Sequence, residues 1–288
     1  MSIAVVWPPW FCRKCVMPYD EVTSQILVDT HCHLDHERMA VTPEDALAHA
    51  RNAGVAWMVS IGTSLASSDK LTEMVVGLDQ VYCSVGVHPE GTNIHRGAGD
   101  EVAKRLHQLA GRPDVVAIGE TGLDYYYENS EPEAQEELFH AHCEVASDTD
   151  KALVVHSRDA ERDTVRVLQK HLAKKNFPVI IHCFTGSQWL ADATIEMGCM
   201  ISMSGIVTFK SAKDLQKTSK TIPDGHLLIE TDAPYLAPTP MRGKPNEPAY
   251  VRHTAEFLAK LRDQEFDHLA AITTKNAARI FKVGSDHS

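Results

Sequence analysis

Residues 28–36 read Val28-Asp29-Thr30-His31-Cys32-His33-Leu34-Asp35-His36, and this stretch decides how the chain is read. An apolar run, Ile26-Leu27-Val28, ends in three histidines and two aspartates. The core of a strand has no use for so many metal-binding side chains at one end. The run therefore reads as a β-strand that delivers a functional cluster, and other strands should deliver its partners.

Seven further β-rich runs follow, at 55–61, 81–87, 115–119, 152–155, 179–181, 199–203 and 227–229, with helical patterns between them. One helix opens at Thr42-Pro43-Glu44-Asp45, with Thr42 as N-cap, proline at the first helical position and acids in the first turn; Gly54 closes it. Amphipathic stretches at 133–147 and 159–174 are further helices, and helical segments near 247–263 and 268–281 finish the chain. Strand and helix repeated in this way imply parallel strands joined by right-handed crossovers. Eight units predict an α/β fold, a TIM-like (β/α)8 barrel in a single domain, with a doubly wound open sheet as the alternative. No glycine-rich nucleotide loop follows the first strand, and polar residues cluster after many strands rather than at one crevice; both favour the barrel. The barrel is expected over residues 26–288, preceded by an extension at 1–25.

Composition bounds the chemistry. Of 288 residues 43% are apolar and 23% charged, and no apolar stretch approaches the ~18 residues of a membrane span. With 28 basic and 39 acidic residues the net charge is −11, which opposes broad electrostatic binding of a polyanion. Bound cations can reverse that field locally, so a phosphate-bearing substrate stays open. Seven cysteines without regular spacing fit reduced thiols and a cytoplasmic location. Cys12 and Cys15 lack a second pair nearby for a zinc site, and Arg13 and Lys14 follow a proline-broken apolar run, unlike a secretory signal.

The strand ends carry the chemistry. His31 and His33 follow the first strand, expected over 26–29, Glu120 follows the fourth, His156 the fifth, His182 the sixth and Asp232 the eighth. In a barrel these ends converge on one rim, where barrel enzymes act. Residues two apart on a strand point the same way, so His31 and His33 can chelate one ion. A lone histidine at a strand end is more often a hydrogen-bonded structural residue, and a lone carboxylate there is usually a cap or an ion-pair partner. Six such residues at five strand ends are not independent accidents. Four imidazoles and two carboxylates exceed one tetrahedral ion with an open position; they suit two divalent ions bridged by one carboxylate. Magnesium, manganese and zinc all accept such ligands.

These segments also carry a family resemblance. Asp29-Thr30-His31-Cys32-His33-Leu34-Asp35, Gly86-Val87-His88-Pro89, Ile118-Gly119-Glu120-Thr121-Gly122-Leu123-Asp124-Tyr125, His156-Ser157-Arg158-Asp159-Ala160, His182-Cys183-Phe184-Thr185-Gly186 and Glu230-Thr231-Asp232-Ala233-Pro234-Tyr235 resemble TatD-type metal-dependent deoxyribonucleases. The resemblance runs from about residue 26 to the C-terminus. It implies a barrel of the amidohydrolase superfamily with a two-metal site that hydrolyses DNA phosphodiesters, acting as a 3'-5' exonuclease on single-stranded ends. The family's ligand pattern maps onto His31, His33, Glu120, His156, His182 and Asp232 with none missing.

One ion is then expected on His31, His33 and Asp232 and the other on His156 and His182, with Glu120 bridging. Asp232 is the expected general base, with Arg158 and His88 as substrate contacts. Tyr125 to Tyr127 and Phe184 are expected near the mouth, where aromatic faces can stack unpaired bases or pack loops. A DNA end is the expected partner, without a membrane or an obligate protein partner. The alternative is a dinuclear amidohydrolase or phosphoesterase of small molecules. In many dinuclear relatives a modified lysine bridges the metals, whereas the residue here is Glu120.

Overall fold

The structure, a computed structural model, describes residues 25–127 and 129–284. Eight strands occur in chain order: β1 Leu27–Cys32, β2 Val55–Ser60, β3 Val81–Val85, β4 Val115–Asp124, β5 Ala152–Arg158, β6 Val179–Ile181, β7 Met200–Met203 and β8 Leu227–Ile229. Each pairs in parallel with the next, so the sheet order is the sequence order. Helices return the chain between strands: α1 Pro43–Asn52, α2 Leu65–Met74, α3 Gly99–Ala110, α4 Pro132–Thr149, α5 Glu161–Leu172, α6 Gln188–Glu196 and α7 Lys213–Thr221, followed by α8 Val251–Leu261 and α9 Phe266–Phe281. Thr42 caps α1 as expected, its Oγ1 accepting from Asp45 N at 3.1 Å, and Gly54 beyond the helix end takes φ +90°.

The sheet closes just past the last residue of β8. Asp232 N donates to His31 O at 2.9 Å, and His33 N donates to Ala233 O at 2.8 Å. The Asp29 carboxylate accepts from Thr231 N at 2.8 Å and from Thr231 Oγ1 at 2.5 Å, and Thr30 Oγ1 donates to Ile229 O at 2.9 Å. Closure rules out the open doubly wound sheet and makes the molecule a single TIM-like barrel.

Strand side chains alternate between two apolar cores. One set, including Leu27, Met58, Ile118, Leu153 and Ile201, packs against Leu47, Leu71, Leu106, Leu138 and Leu168 of the surrounding helices. The other, including Val28, Val59, Val116, Val154, Ile180 and Leu228, fills the interior together with Ala277, Ile280 and Phe281 of α9. Phe281 meets Trp57 edge to face at 6.0 Å, and Asn276 and Thr274 of α9 donate to Leu227 O and Ile26 O. Helix α9 thus covers the N-terminal end of the barrel, leaving the other end for the site. No helix among the described residues is long and apolar enough to cross a membrane. The expected extension, with Cys12 and Cys15, lies outside the described residues apart from Gln25.

Three strands run further than their sequence pattern indicates. β1 reaches Cys32, β5 reaches Arg158, and β4 continues through Glu120 to Asp124 instead of ending at Gly119. Glycine is depleted in strands, which is why β4 reads as ending there. Gly119 and Gly122 take φ +126° and +130°, and a Cβ on Gly122 would stand 2.0 Å from His156 O. Glycine is what lets β4 lie this close to β5. Phe184, expected near the mouth, is buried in the outer core.

His142 on α4 is a buried neutral base. Its Nε2 accepts from Val87 N at 3.0 Å while Nδ1 donates to Leu138 O at 2.6 Å, which fixes one tautomer. Burial pushes its pKa down to about 4, against the Leu138 hydrogen bond, which raises it. A base depressed in the folded state stabilises fully above its unfolded pKa near 6.5, and the contribution fades as pH falls towards 4. Relative to His142→Gln, wild type should lose about 2–3 kcal/mol of unfolding free energy between pH 7 and 4.5, measured by denaturant titration. A difference independent of pH would contradict this assignment.

Candidate metal centre

Strict alternation along β1 would turn His31 outward, on the same face as Leu27. An extra residue intervenes instead: Asp29 pairs with Met58 and Cys32 with Ser60, so β1 spends three steps where β2 spends two. β4 does the same against β5, with Ile118 opposite Leu153 and Thr121 opposite Val155. Such irregularities re-aim side chains, and here they flank His31 and Glu120. The six expected ligands all reach one cavity region at the C-terminal rim. Its volume is about 1650 Å³, with His33, Glu120, His156, His182 and Asp232 in its lining and His31 buried directly behind.

Glu120 is the centre of the cluster. Its Oε1 lies 2.7 Å from His182 Nε2, 3.2 Å from His156 Nδ1 and 3.3 Å from His88 Nε2. Its Oε2 faces the other way, 3.4 Å from His31 Nε2. Asp232 Oδ1 is 3.3 Å from His33 Nε2 and 3.6 Å from His31 Nε2. His31 and His182 stack with centroids 3.9 Å apart and planes 11° from parallel. His88, expected as a substrate contact, therefore stands beside Glu120 among the candidate ligands.

The donor set fits cations. His31 Nε2 and His33 Nε2 face each other at 3.3 Å, an arrangement that neutral imidazole lone pairs tolerate only with a proton or a cation between them. His182 Nε2 approaches Glu120 closely yet lacks hydrogen-bond geometry, and among the described residues neither His182 nitrogen has a hydrogen-bond partner. Three groups of at least three ligand atoms lie within 4.8 Å of one another: His31, His182 and Asp232; His31, His33 and Glu120; and His88, Glu120 and His156. The charges agree. Burial pushes the Glu120 carboxyl up, but His182, His88 and His156 outweigh it and hold it well below the usual range. Burial likewise opposes ionisation of Asp232, yet His33, His31 and His182 keep it low. Burial lowers His182 and His156, but Glu120 and the carboxylates behind them bring both above their ordinary value. The site favours positive charge.

Three groups behind the imidazoles set which nitrogen faces the cluster. His33 Nδ1 donates to Ile61 O at 3.2 Å, His156 Nε2 donates to Asp124 Oδ2 at 2.8 Å, and His182 Nδ1 faces Glu230 Oε1 at 3.4 Å. Asp124 and Glu230 carried a signal in the sequence, since both sit inside the motifs that hold Glu120 and Asp232. Strand ends alone could not assign them, because their part in the site comes from the imidazoles they face, His156 for Asp124 and His182 for Glu230. Among the described residues Arg158 has no carboxylate partner, and its guanidinium lies over Tyr126.

Comparison with known proteins agrees with this geometry. The family model described as TatD related DNase matches residues 28–282. The uncharacterized metal-dependent hydrolase YcfH of Escherichia coli (strain K12) is 39% identical over 260 residues, covering 89% of this chain and 96% of its own. A protein of Dickeya dadantii named 3'-5' ssDNA/RNA exonuclease TatD is 34% identical over 265 residues, covering 90% and 98%. The crystal structure of the TatD homologue YJJV from Escherichia coli superposes with a TM-score of 0.81 at 27% identity, over 89% of this chain and 98% of that one. The chain belongs to the TatD-related DNase family of metal-dependent hydrolases.

Proposed function

We propose that this hydrolase cleaves DNA phosphodiester bonds as a 3'-5' exonuclease on single-stranded ends, using two divalent ions, magnesium, manganese or zinc. The observation that carries the reading is the division of Glu120, whose two oxygens face different histidines. His31, His33 and Asp232 would hold one ion and His156 and His182 the other, with Glu120 between them and His88 beside its Oε1. Bound ions supply a water of lowered pKa and neutralise charge on the phosphoryl oxygens.

The chain's own groups do the rest. Asp232 stays ionised at neutral pH, so it can take the proton of an attacking water. Arg158 presents N–H donors to a phosphate oxygen. The name of the Dickeya dadantii relative supports a nucleic-acid substrate. The five described cysteines are free thiols, in keeping with a cytoplasmic setting.

Asp124 is a positioning residue in this scheme. Replacing it by asparagine removes the charge behind His156 and should weaken metal binding about 10- to 100-fold, read by calorimetric titration of metal-stripped protein. Unchanged affinity would detach Asp124 from the site.

The activity itself is tested with a 5'-labelled single-stranded oligonucleotide resolved on a gel. Metal-restored protein should shorten it from the 3' end, while metal-stripped protein and Glu120→Ala should leave it intact. Restored protein that holds metal without cutting DNA would refute the nuclease reading and direct the search to amides, esters and small phosphoesters at the same centre.

A further inference from the structure

Tyr126 and Tyr127 leave the end of β4 side by side at the cavity mouth, 56% and 44% exposed. Their rings meet at 90° with centroids 4.8 Å apart. The Arg158 guanidinium lies 3.9 Å from the centre of the Tyr126 ring and 4.8 Å from that of Tyr127. A guanidinium over an aromatic face keeps its N–H edges available to acceptors.

The group is held in place from two sides. Tyr126 N and Tyr127 N both donate to Asp124 Oδ1 at 2.9 Å, and the other oxygen of the same carboxylate accepts from His156. On the far side Tyr125 N donates to Arg158 O at 2.9 Å, and the Tyr125 hydroxyl donates to Asp163 at 3.1 Å. One buried carboxylate thus ties the tyrosines to the metal cluster at a fixed spacing. The cavity is continuous from these rings to Glu120, His182 and Asp232, far larger than a lone phosphate needs. Two further arginines lie over aromatic rings, Arg162 of α5 over Trp189 of α6 at 5.3 Å and Arg38 over Tyr235 at 5.9 Å, and Arg162 and Tyr235 line the same cavity.

We propose that Tyr126, Arg158 and Tyr127 form a stacking subsite for an unpaired nucleobase, with Arg158 reaching the adjoining phosphate. A nucleotide combines a flat π face with a neighbouring negative charge, which is what two tyrosine rings and a stacked guanidinium complement; a neutral sugar or an amide offers only part of that match. The subsite rests on the phosphodiesterase reading for its link to catalysis, and it adds selectivity that the metal cluster cannot provide, because that cluster meets only phosphate.

The test is binding of labelled single-stranded DNA to the metal-loaded protein, followed by fluorescence anisotropy. Phosphorothioate linkages keep the ligand intact, and a second ligand is abasic at its last three 3' positions. Wild type should prefer the base-bearing ligand by about tenfold or more, the scale of one lost stack. A Tyr126→Ala, Tyr127→Ala double variant should lose most of that preference, and the corresponding Phe double variant should retain it. Equal binding of the two ligands by wild type, binding of neither, or full preference in the Ala variant overturns the subsite. Because the readout is binding rather than turnover, a preference in protein that cleaves no DNA would uphold the subsite while removing the nuclease reading.

Discussion

Two backbone hydrogen bonds between β1 with its following residue and the segment just past β8 carry both the fold and the candidate site. His31 O accepts from Asp232 N, and His33 N donates to Ala233 O. A barrel needs its first and last strands to meet, because an unpaired edge exposes backbone donors and acceptors. Here they meet through residues whose side chains form one half of the candidate metal centre. Closing the barrel sets the spacing of His31, His33 and Asp232 in the same step. Asp29 reinforces the seam from below; burial pushes its carboxyl up to about 8, against the Thr231 hydrogen bonds, which lower it. A buried carboxyl bonded to both the amide and the hydroxyl of one threonine acts as a staple between strands distant in sequence.

The other half of the cluster depends on β4. Its extra residue beside β5 and its two positive-φ glycines bring Glu120 into the centre and carry the strand on to Asp124. The carboxylate that splits the ligands and the carboxylate that orients His156 are therefore spaced by one strand segment. Tyr126 and Tyr127 hang from its end, so the candidate metal centre, the carboxylate behind His156 and the aromatic mouth form one mechanical unit.

Much of this was legible in the sequence. Eight β-rich runs alternating with capped helices specify a barrel, and Thr42-Pro43 marks a helix start by local chemistry alone. Six candidate ligands at strand ends are visible because each follows an apolar run. The irregularities of β1 and β4 were not visible: an inserted residue has no composition of its own and appears only when two strands are paired. The same limit hid Asp124 and Glu230, whose importance comes from the ring nitrogen they face. His88 could be placed on the rim but not assigned to Glu120, since loop geometry decides that contact. Phe184 went to the core because an aromatic after a strand fits the mouth and the helix layer equally well by pattern.

Charge ties these parts together. A chain of net charge −11 places two ionised carboxylates among five imidazoles at one rim, a centre that gains from cations and, once holding them, would meet the proposed anionic substrate without repulsion. If Glu120 divides this centre between two ions, as proposed, crystals grown with manganese and measured for anomalous scattering should show two anomalous peaks roughly 3.5–4 Å apart, one on each side of the Glu120 carboxylate. A single peak, or two peaks away from Glu120, would contradict it.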